Sequence, residues 1–254
     1  MNDISDKADI GKGVKFGSFC VIDADVEIGA ECEIGHHVVI LSGTKIGKRV
    51  RIDDHTSIGK MPMQASNSAV TRMADWAPCT IGDGVIIGSS VVIYIGSTID
   101  ADVLVADFAS IREDVSIGKR TIVGRGVAIE NDCSIGAFCK LETNAYITAY
   151  SLLEDYVFVA PGVLTSNDNF VGRSEERFKH FKGITVRRGG RVGVGAVVLP
   201  GREIHRDGLV AAGAVVTHDV PGRQIHAGVP ASLFGDVDDE QLLDNQNWFD
   251  SGNE

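Results

Sequence analysis

Aliphatic residues recur at every sixth position along most of this chain. The register runs from Ile10 to Ile58, from Ile81 to Val159 and again from Val186 to Val216. From Ile81 to Leu164 the fifth position of each hexad carries a small or β-branched residue. An α-helix repeats its apolar face every 3.6 residues and a β-strand every two, so a period of six fits neither element alone. The pattern predicts an all-β solenoid of short parallel strands, three to a coil, in which stacking buries the aliphatic residues.

The hexads stop twice, at about residues 61–80 and 169–185. With three sides counted per coil, both interruptions leave from the corner after the third side, so we expect two loops on one edge of the solenoid. Surface insertions are tolerated in such folds, but long loops on a rigid scaffold often carry function. The shared edge is therefore the first place to look for a site.

Residues eighteen apart should stack in columns about 4.8 Å apart along this edge. Three columns hold larger polar groups than the other corners: Tyr94, Arg112, Glu130, Thr148 and Ser166; Ile95, Glu113, Asn131, Ala149 and Asn167; Gly96, Asp114, Asp132, Tyr150 and Asp168. Any one polar residue here is explained by a corner that faces water. The coincidence of the columns with both loops favours a site.

The repeat resembles the left-handed parallel β-helix of the hexapeptide-repeat acyltransferases, and the expected hand comes from that resemblance. The stretches 140–150, 159–162, 165–170 and 172–179 are similar to N-acyltransferases of nucleotide-linked amino sugars, such as those that acetylate dTDP-3-amino-3,6-dideoxyhexoses. The resemblance implies acetyl-CoA or another acyl-CoA as donor, and a homotrimer with its sites between subunits.

Carried over by position, the resemblance implies that Asn167 and Asp168 lie near the sugar amine, with Asn131 one or two coils earlier. The sequence departs from some relatives at Ala149, where they have a carboxylate. We expect catalytic roles for Asn167, Asp168, Asn131 and Glu130. Substrate contacts are expected from Glu142, Tyr146, Arg177, Phe178, Lys179 and His180.

The chemistry of amide formation makes modest demands on such a site. A neutral amine is a competent nucleophile, and an amine whose pKa lies about one unit above the working pH costs only about 1.4 kcal/mol to deprotonate. The coils from Ile81 to Leu164 contain no histidine, whereas O-acyltransferases of this fold need one to activate a hydroxyl. The sequence thus favours hydrogen-bonding groups that orient an amine, with a backbone N–H for the oxyanion.

Basic residues cluster late in the chain, between Arg173 and Arg206, although the net charge of the whole is -11. These residues have three possible roles: they form an ordinary solvated stretch, they pair with acidic residues of another subunit, or they bind the phosphate groups of CoA and of a sugar nucleotide. Small residues nearby would let a pantetheine arm approach backbone amides, unless they are ordinary repeat residues. The candidate cofactor-binding residues are Gly193, Gly195, Ala196, Gly213, Ala214, Arg191 and Arg206.

Composition narrows the remaining possibilities. The acidic balance disfavours nucleic acid or an anionic membrane as partner, and we expect a cytoplasmic protein. His37 and His55 lie one coil apart without a third ligand, so no metal site is predicted. Four cysteines fall on inward positions and are interpreted as buried free thiols. We expect residues 1–235 to form the solenoid domain and residues 236–254 to form a short capping helix, ending near Trp248, and a tail.

The sequence therefore predicts an N-acyltransferase that acylates a nucleotide-linked amino-deoxy sugar. A CoA-dependent acetyltransferase for another small acceptor and a structural solenoid without activity remain as alternatives.

Overall fold

The computed structural model describes residues 1–68 and 74–246, and over these residues the chain is a parallel β-solenoid. Its three sheets contain 11, 10 and 12 strands. The first sheet is built from Asp3–Ile4, Val21–Ile22, Val39–Ile40, Ser57–Lys60, Val92–Tyr94, Ser110–Ile111, Ala128–Ile129, Tyr146–Ile147, Leu164–Thr165, Val197–Val198 and Val215–Val216. The second sheet is built from Asp9–Ile10, Glu27–Ile28, Lys45–Ile46, Thr80–Ile81, Thr98–Ile99, Ser116–Ile117, Ser134–Ile135, Leu152–Leu153, Thr185–Val186 and Glu203–Ile204. The third is built from Lys15–Phe16, Glu33–Ile34, Arg51–Ile52, Ile86–Ile87, Leu104–Val105, Ile122–Val123, Lys140–Leu141, Phe158–Val159, Arg191–Val192, Leu209–Val210, Gln224–Ala227 and Ser232–Asp236.

The strand register has the eighteen-residue period that the hexads predict. Ile93 pairs with Ile111, Ile111 with Ile129, and Ile129 with Ile147, all in parallel. These four side chains are fully buried, because each coil covers the aliphatic residues of the one before it. The predicted all-β parallel solenoid is confirmed, and the architecture is consistent with a left-handed β-helix.

Both long loops leave the same corner. The chain passes from the first sheet to the second between Lys60 and Thr80, and again between Thr165 and Thr185. We call this corner the loop edge. The two departures are five strand spacings apart in the first sheet, or about 24 Å. The second loop contains one 3₁₀ turn, Glu175–Lys179. Residues 69–73 of the first loop lie outside the described residues.

The C-terminal end differs from the sequence expectation. Gln224–Ala227 and Ser232–Asp236 form an antiparallel hairpin that was not predicted, and it extends the third sheet beyond the hexads. The expected capping helix is instead two 3₁₀ turns, Asp239–Gln241 and Leu243–Asn245. Its predicted end at Trp248 lies outside the described residues.

The five cysteines are buried free thiols. Burial raises the pKa of Cys79, Cys133 and Cys139 to about 12, so they are inert at neutral pH. Among the residues the structure describes, no helix has the length and apolar character needed to cross a bilayer.

Candidate active site

A cavity of about 200 Å³ lies on the loop edge beneath the second loop. Five of the predicted site residues meet in its wall, namely Glu130, Tyr146, Asn167, Asp168 and Arg177. Thr148, Ala149 and Phe181 complete the wall. The solenoid supplies one side of the cavity through its eighteen-residue columns, and the second loop supplies the other. Residues far apart in sequence therefore converge on one small, partly polar volume.

Glu130 is the carboxyl group of this cavity with the strongest burial effect. Its side chain is three-quarters buried, and burial raises the pKa of its carboxyl group. The positive charge of Arg112 opposes that change and the negative charge of Glu113 reinforces it. Burial and the charge of Glu130 also raise the pKa of the neighbouring Tyr146 hydroxyl. A carboxylate that binds a proton more readily than usual is suited to accept one from a substrate.

Asn131 follows Glu130 and is buried, with 2% of its surface exposed. Its amide nitrogen donates a hydrogen bond to Asp132 Oδ2 at 2.7 Å. Its Oδ1 has no hydrogen-bond partner among the described residues. This oxygen is enclosed by protein, and Asn131 is not one of the residues of the cavity wall. Its column places it one coil before Ala149, which lines the cavity.

Asp168 is held by the backbone of the second loop. Its two carboxylate oxygens accept hydrogen bonds from the N–H groups of Phe170, at 2.8 Å, and Gly172, at 2.9 Å. These bonds, above all the one from Gly172, lower the pKa of the Asp168 carboxyl group, and the positive charge of Arg177 lowers it further. A carboxylate stabilised in this way is a poor proton acceptor. Asp168 is therefore placed to shape the loop and to orient a ligand rather than to remove a proton.

Asn167 and Arg177 form the part of the wall nearest the second loop. The Asn167 carbonyl accepts a hydrogen bond from Lys182 N, which ties the two ends of that loop together. The Arg177 guanidinium lies over the rings of Phe178 and Phe181, at 5.3 and 5.4 Å, and its Nη1 is 3.6 Å from Asp168 Oδ2. Its Nε is buried without a hydrogen-bond partner among the described residues. The loop thus holds a cation in the cavity wall beside Asp168.

The other predicted substrate contacts do not line the cavity. Phe178 is largely exposed, and Lys179 and His180 both pair with Glu176 on the solvent side of the 3₁₀ turn. Glu142 lies at a different corner, where the chain passes from the third sheet to the first. These four residues, which the resemblance implied to be substrate contacts, are not brought together with the cavity residues in this chain.

The predicted cofactor residues occupy three separate places. Gly193, Gly195 and Gly213 lie at the corner between the third and first sheets, which we call the glycine corner. Positions 195 and 213 have φ of +65° and +70°, and a side chain there would meet open space. Ala196 and Ala214 lie in the core with no exposed surface, so only their backbone is available to a ligand.

The two arginines predicted to hold phosphates lie elsewhere. Arg206 is at the corner between the second and third sheets and pairs with Asp244 and Asp207. Arg191 lines a cavity of about 370 Å³ together with Phe138, Tyr156 and Phe158. There it donates to Gln241 at 3.1 Å, and burial lowers its pKa. The basic stretch is therefore dispersed and largely paired with carboxylates, which weakens the interpretation as one phosphate site.

Sequence reasoning missed Phe181 as a wall residue and gave no role to the pair Arg112 and Glu113. The columns placed both charged residues correctly on the loop edge. Their contact with each other depends on side-chain direction, for which the hexads carry no signal.

Comparison with known proteins supports the repeat and the fold. The family described as Hexapep, bacterial transferase hexapeptide (six repeats), matches residues 7–42. The 2,3,4,5-tetrahydropyridine-2,6-dicarboxylate N-acetyltransferase of Enterococcus faecalis is 45% identical over 49 residues, 19% of this chain and 21% of that protein. The Clostridium perfringens enzyme of the same name is 43% identical over 49 residues, with the same coverage. The chain thus matches only about a fifth of the length of these curated relatives.

Solved structures resemble the chain over a greater length. The Arabidopsis UDP-N-acetylglucosamine acyltransferase has a TM-score of 0.61 at 20% identity, covering 92% of this chain and 72% of that one. AntD, an N-acyltransferase from Bacillus cereus solved as a mutant in complex with dTDP and coenzyme A, has a TM-score of 0.53 at 14% identity, covering 61% of this chain and 91% of that one. At these identities the likeness concerns the fold. The chain thus shares a hexapeptide-repeat segment with that family at residues 7–42 and its overall fold with these structures. The relatives and structural neighbours named here are acyltransferases.

Proposed function

We propose that this protein transfers an acetyl or another short acyl group from acyl-CoA to the amino group of a nucleotide-linked amino-deoxy sugar. The observation that carries the proposal is the loop-edge cavity, where Glu130, Asn167 and Asp168 face Arg177. Carboxylate and amide oxygens suit an amine, and a cation suits the hydroxyl or phosphate oxygens of a sugar nucleotide.

The reaction needs few groups. The amine nitrogen attacks the thioester carbonyl carbon, the new C–N bond forms and the C–S bond breaks. The proton lost by nitrogen passes to Glu130, the proton acceptor favoured by its burial, and then to the departing CoA sulfur. Asn167 orients the amine, Asp168 holds the loop that encloses it, and a backbone N–H at the corner stabilises the oxyanion.

The donor is proposed to lie along the glycine corner, where the open positions of Gly195 and Gly213 leave room beside the backbone. The first sheet separates this corner from the loop edge by six residues of chain, roughly 20 Å. A neighbouring copy that packs its glycine corner beside the loop edge would bring donor and acceptor together. This separation supports the expected homotrimer with sites between subunits.

The test is a thiol-release assay with acetyl-CoA, and then with longer acyl-CoA donors, against dTDP- and UDP-linked 3-amino and 4-amino sugars. Turnover with any member establishes the reaction. The absence of thiol release with every donor and acceptor would refute the sugar-nucleotide proposal.

A second candidate is acetyl transfer to another small acceptor, which the local similarity to tetrahydropyridine-dicarboxylate N-acetyltransferases favours. Added dTDP or UDP separates the two candidates without any turnover. A ligand at 100 times its Kd stabilises the folded state by about 2.7 kcal/mol, so a sugar-nucleotide site raises the Tm and a site for another acceptor leaves it unchanged.

A further inference from the structure

Glu113 lies beside the proposed proton acceptor but has no role in the reaction as described above. It is buried, with 1% of its surface exposed, and pairs with Arg112 through two contacts. Arg112 Nε is 2.8 Å from Glu113 Oε2, and Arg112 Nη2 is 2.9 Å from Glu113 Oε1. A two-point pair of this kind fixes the plane of a guanidinium as well as its position.

The same guanidinium reaches toward Glu130 at a longer distance. Arg112 Nη1 lies 3.5 Å from Glu130 Oε2. Beneath it, the ring of Tyr94 lies 5.0 Å from the guanidinium carbon, and Lys60 lies 5.4 Å from the same ring. Contacts with Glu113 and with the Tyr94 ring therefore hold Arg112 in an orientation that favours Glu113 over Glu130.

This arrangement decides how Glu130 behaves. An arginine in close, unshared contact normally keeps a carboxyl group ionised and makes it a weak base. Here the negative charge of Glu113 balances Arg112, so the burial of Glu130 has the larger effect on its protonation. Within residues 1–68 and 74–246, the titratable and charged groups around Glu130 are Arg112 and Glu113 on the preceding coil, Asp132 and Cys133 on its own coil, Tyr146 on the next, and Asp168 and Arg177 across the cavity.

We propose that Glu113 is a positioning residue: by holding Arg112 in a two-point pair, it keeps that cation from forming a close ion pair with Glu130. Glu130 is thereby left able to accept the proton of the attacking amine. This inference rests on the proposed function for its catalytic meaning, but the charge arrangement itself is testable without substrate.

The experiment measures the pKa of Glu130 by carbon-13 NMR on protein labelled at the glutamate carboxyl carbon. Glu130→Gln identifies the resonance by its disappearance. In Glu113→Gln the two-point pair and its negative charge are lost, so Arg112 turns toward Glu130, and we expect the pKa of Glu130 to fall by about 1 or more. Glu33→Gln removes an exposed carboxylate near the N-terminus and should leave that pKa unchanged.

Glu113→Asp provides a second test should Glu113→Gln fail to fold. It keeps the charge but is too short to maintain both contacts, so we expect a smaller fall in the pKa of Glu130. The same pKa in the unchanged protein and in the folded Glu113 variants would overturn the inference. In the thiol-release assay, the acid limb of the pH profile should move with the measured pKa.

The two proposals can fail separately. A fall in the pKa of Glu130 without any turnover in the acceptor panel would leave the positioning role intact and refute the proposed function. Turnover combined with an unmoved pKa would support the function and remove Glu113 from it.

Discussion

The proposed path of the CoA arm can be tested at glycines that differ in what surrounds them. At position 195 the backbone has φ of +65° and a side chain would meet no atom within 4 Å. At position 193 an added Cβ would lie 2.6 Å from Ala212 N and 2.8 Å from Val210 O. Gly193 is therefore required by the close stacking of two coils, whereas Gly195 needs only a left-handed backbone.

The magnitudes follow from these surroundings. Asparagine tolerates the left-handed conformation better than other residues with a side chain, so Gly195→Asn should cost less than about 1 kcal/mol. Gly193→Ala must push apart backbone atoms of the next coil, and overpacking of this kind costs about 1–3 kcal/mol. With a shift of about 2–4 °C per kcal/mol for a chain of this size, the Tm of Gly193→Ala should fall by about 2–12 °C and that of Gly195→Asn by less.

We expect the variant with the smaller loss of stability, Gly195→Asn, to have the larger loss of acyl-CoA binding. An asparagine side chain at position 195 or 213 would occupy the proposed path of the pantetheine arm, and a loss of about 1.4 kcal/mol of binding energy raises the KM for acyl-CoA tenfold. The assays are thiol release at varied acetyl-CoA, calorimetric binding of CoA, and thermal melting of each variant. Wild-type affinity for CoA in both Gly195→Asn and Gly213→Asn would refute the proposal that the donor lies along the glycine corner.

Three further predictions concern the cavity and the core. In Glu130→Gln, kcat should fall about 100-fold because the proton acceptor is lost. Wild-type activity should decline as pH falls through the raised pKa of Glu130, so the acid limb of the pH–rate profile should disappear in this variant. An unchanged pH–rate profile would contradict the role of Glu130 as proton acceptor. Because the pKa of Glu130 is raised in the folded state, the stability of the wild-type protein should decrease as pH rises from the ordinary pKa of a glutamate to the raised one. The Tm of Glu130→Gln should not show this decrease. Asp168→Ala removes the acceptors for the N–H groups of Phe170 and Gly172. Limited proteolysis should therefore cut the second loop faster, and turnover should drop. Unchanged turnover and unchanged affinity for the acceptor would remove Asp168 from its proposed role. Ile129→Ala, at a position with no exposed surface, should lower the free energy of unfolding by about 2–5 kcal/mol, measured by urea denaturation, and a loss below 1 kcal/mol would mean that the coil relaxes into the space.

The repeat made most of the fold predictable. A period of six gives one short strand per hexad, and three strands per coil, as the solenoid prediction assumed, place residues eighteen apart in one column. Glu130 and Asn167 were placed on the loop edge for this reason, and the cavity there contains both. Four of the five buried cysteines followed from the same periodicity, since they occupy inward fifth positions of hexads, whereas Cys79 lies outside the repeat.

The C-terminal end was the part least accessible to sequence reasoning. Acidic residues ahead of Leu242 and Leu243 suggested an α-helix, but the chain forms a hairpin at 224–236 and then two 3₁₀ turns. Beyond the last hexad no repeat dictates the pairing, so local signals compete and tertiary packing decides among them.

The sequence by itself determined the coil, the core and the edge from which both loops depart, because each depends only on the spacing of aliphatic residues. Only the tertiary structure decided which polar side chains work together. It pairs Arg112 with Glu113 rather than closely with Glu130, binds Asp168 to the loop backbone, and separates Arg206 from the glycine corner. Those outcomes depend on side-chain direction and on competition among charges a few ångströms apart, and a six-residue period contains no information about either.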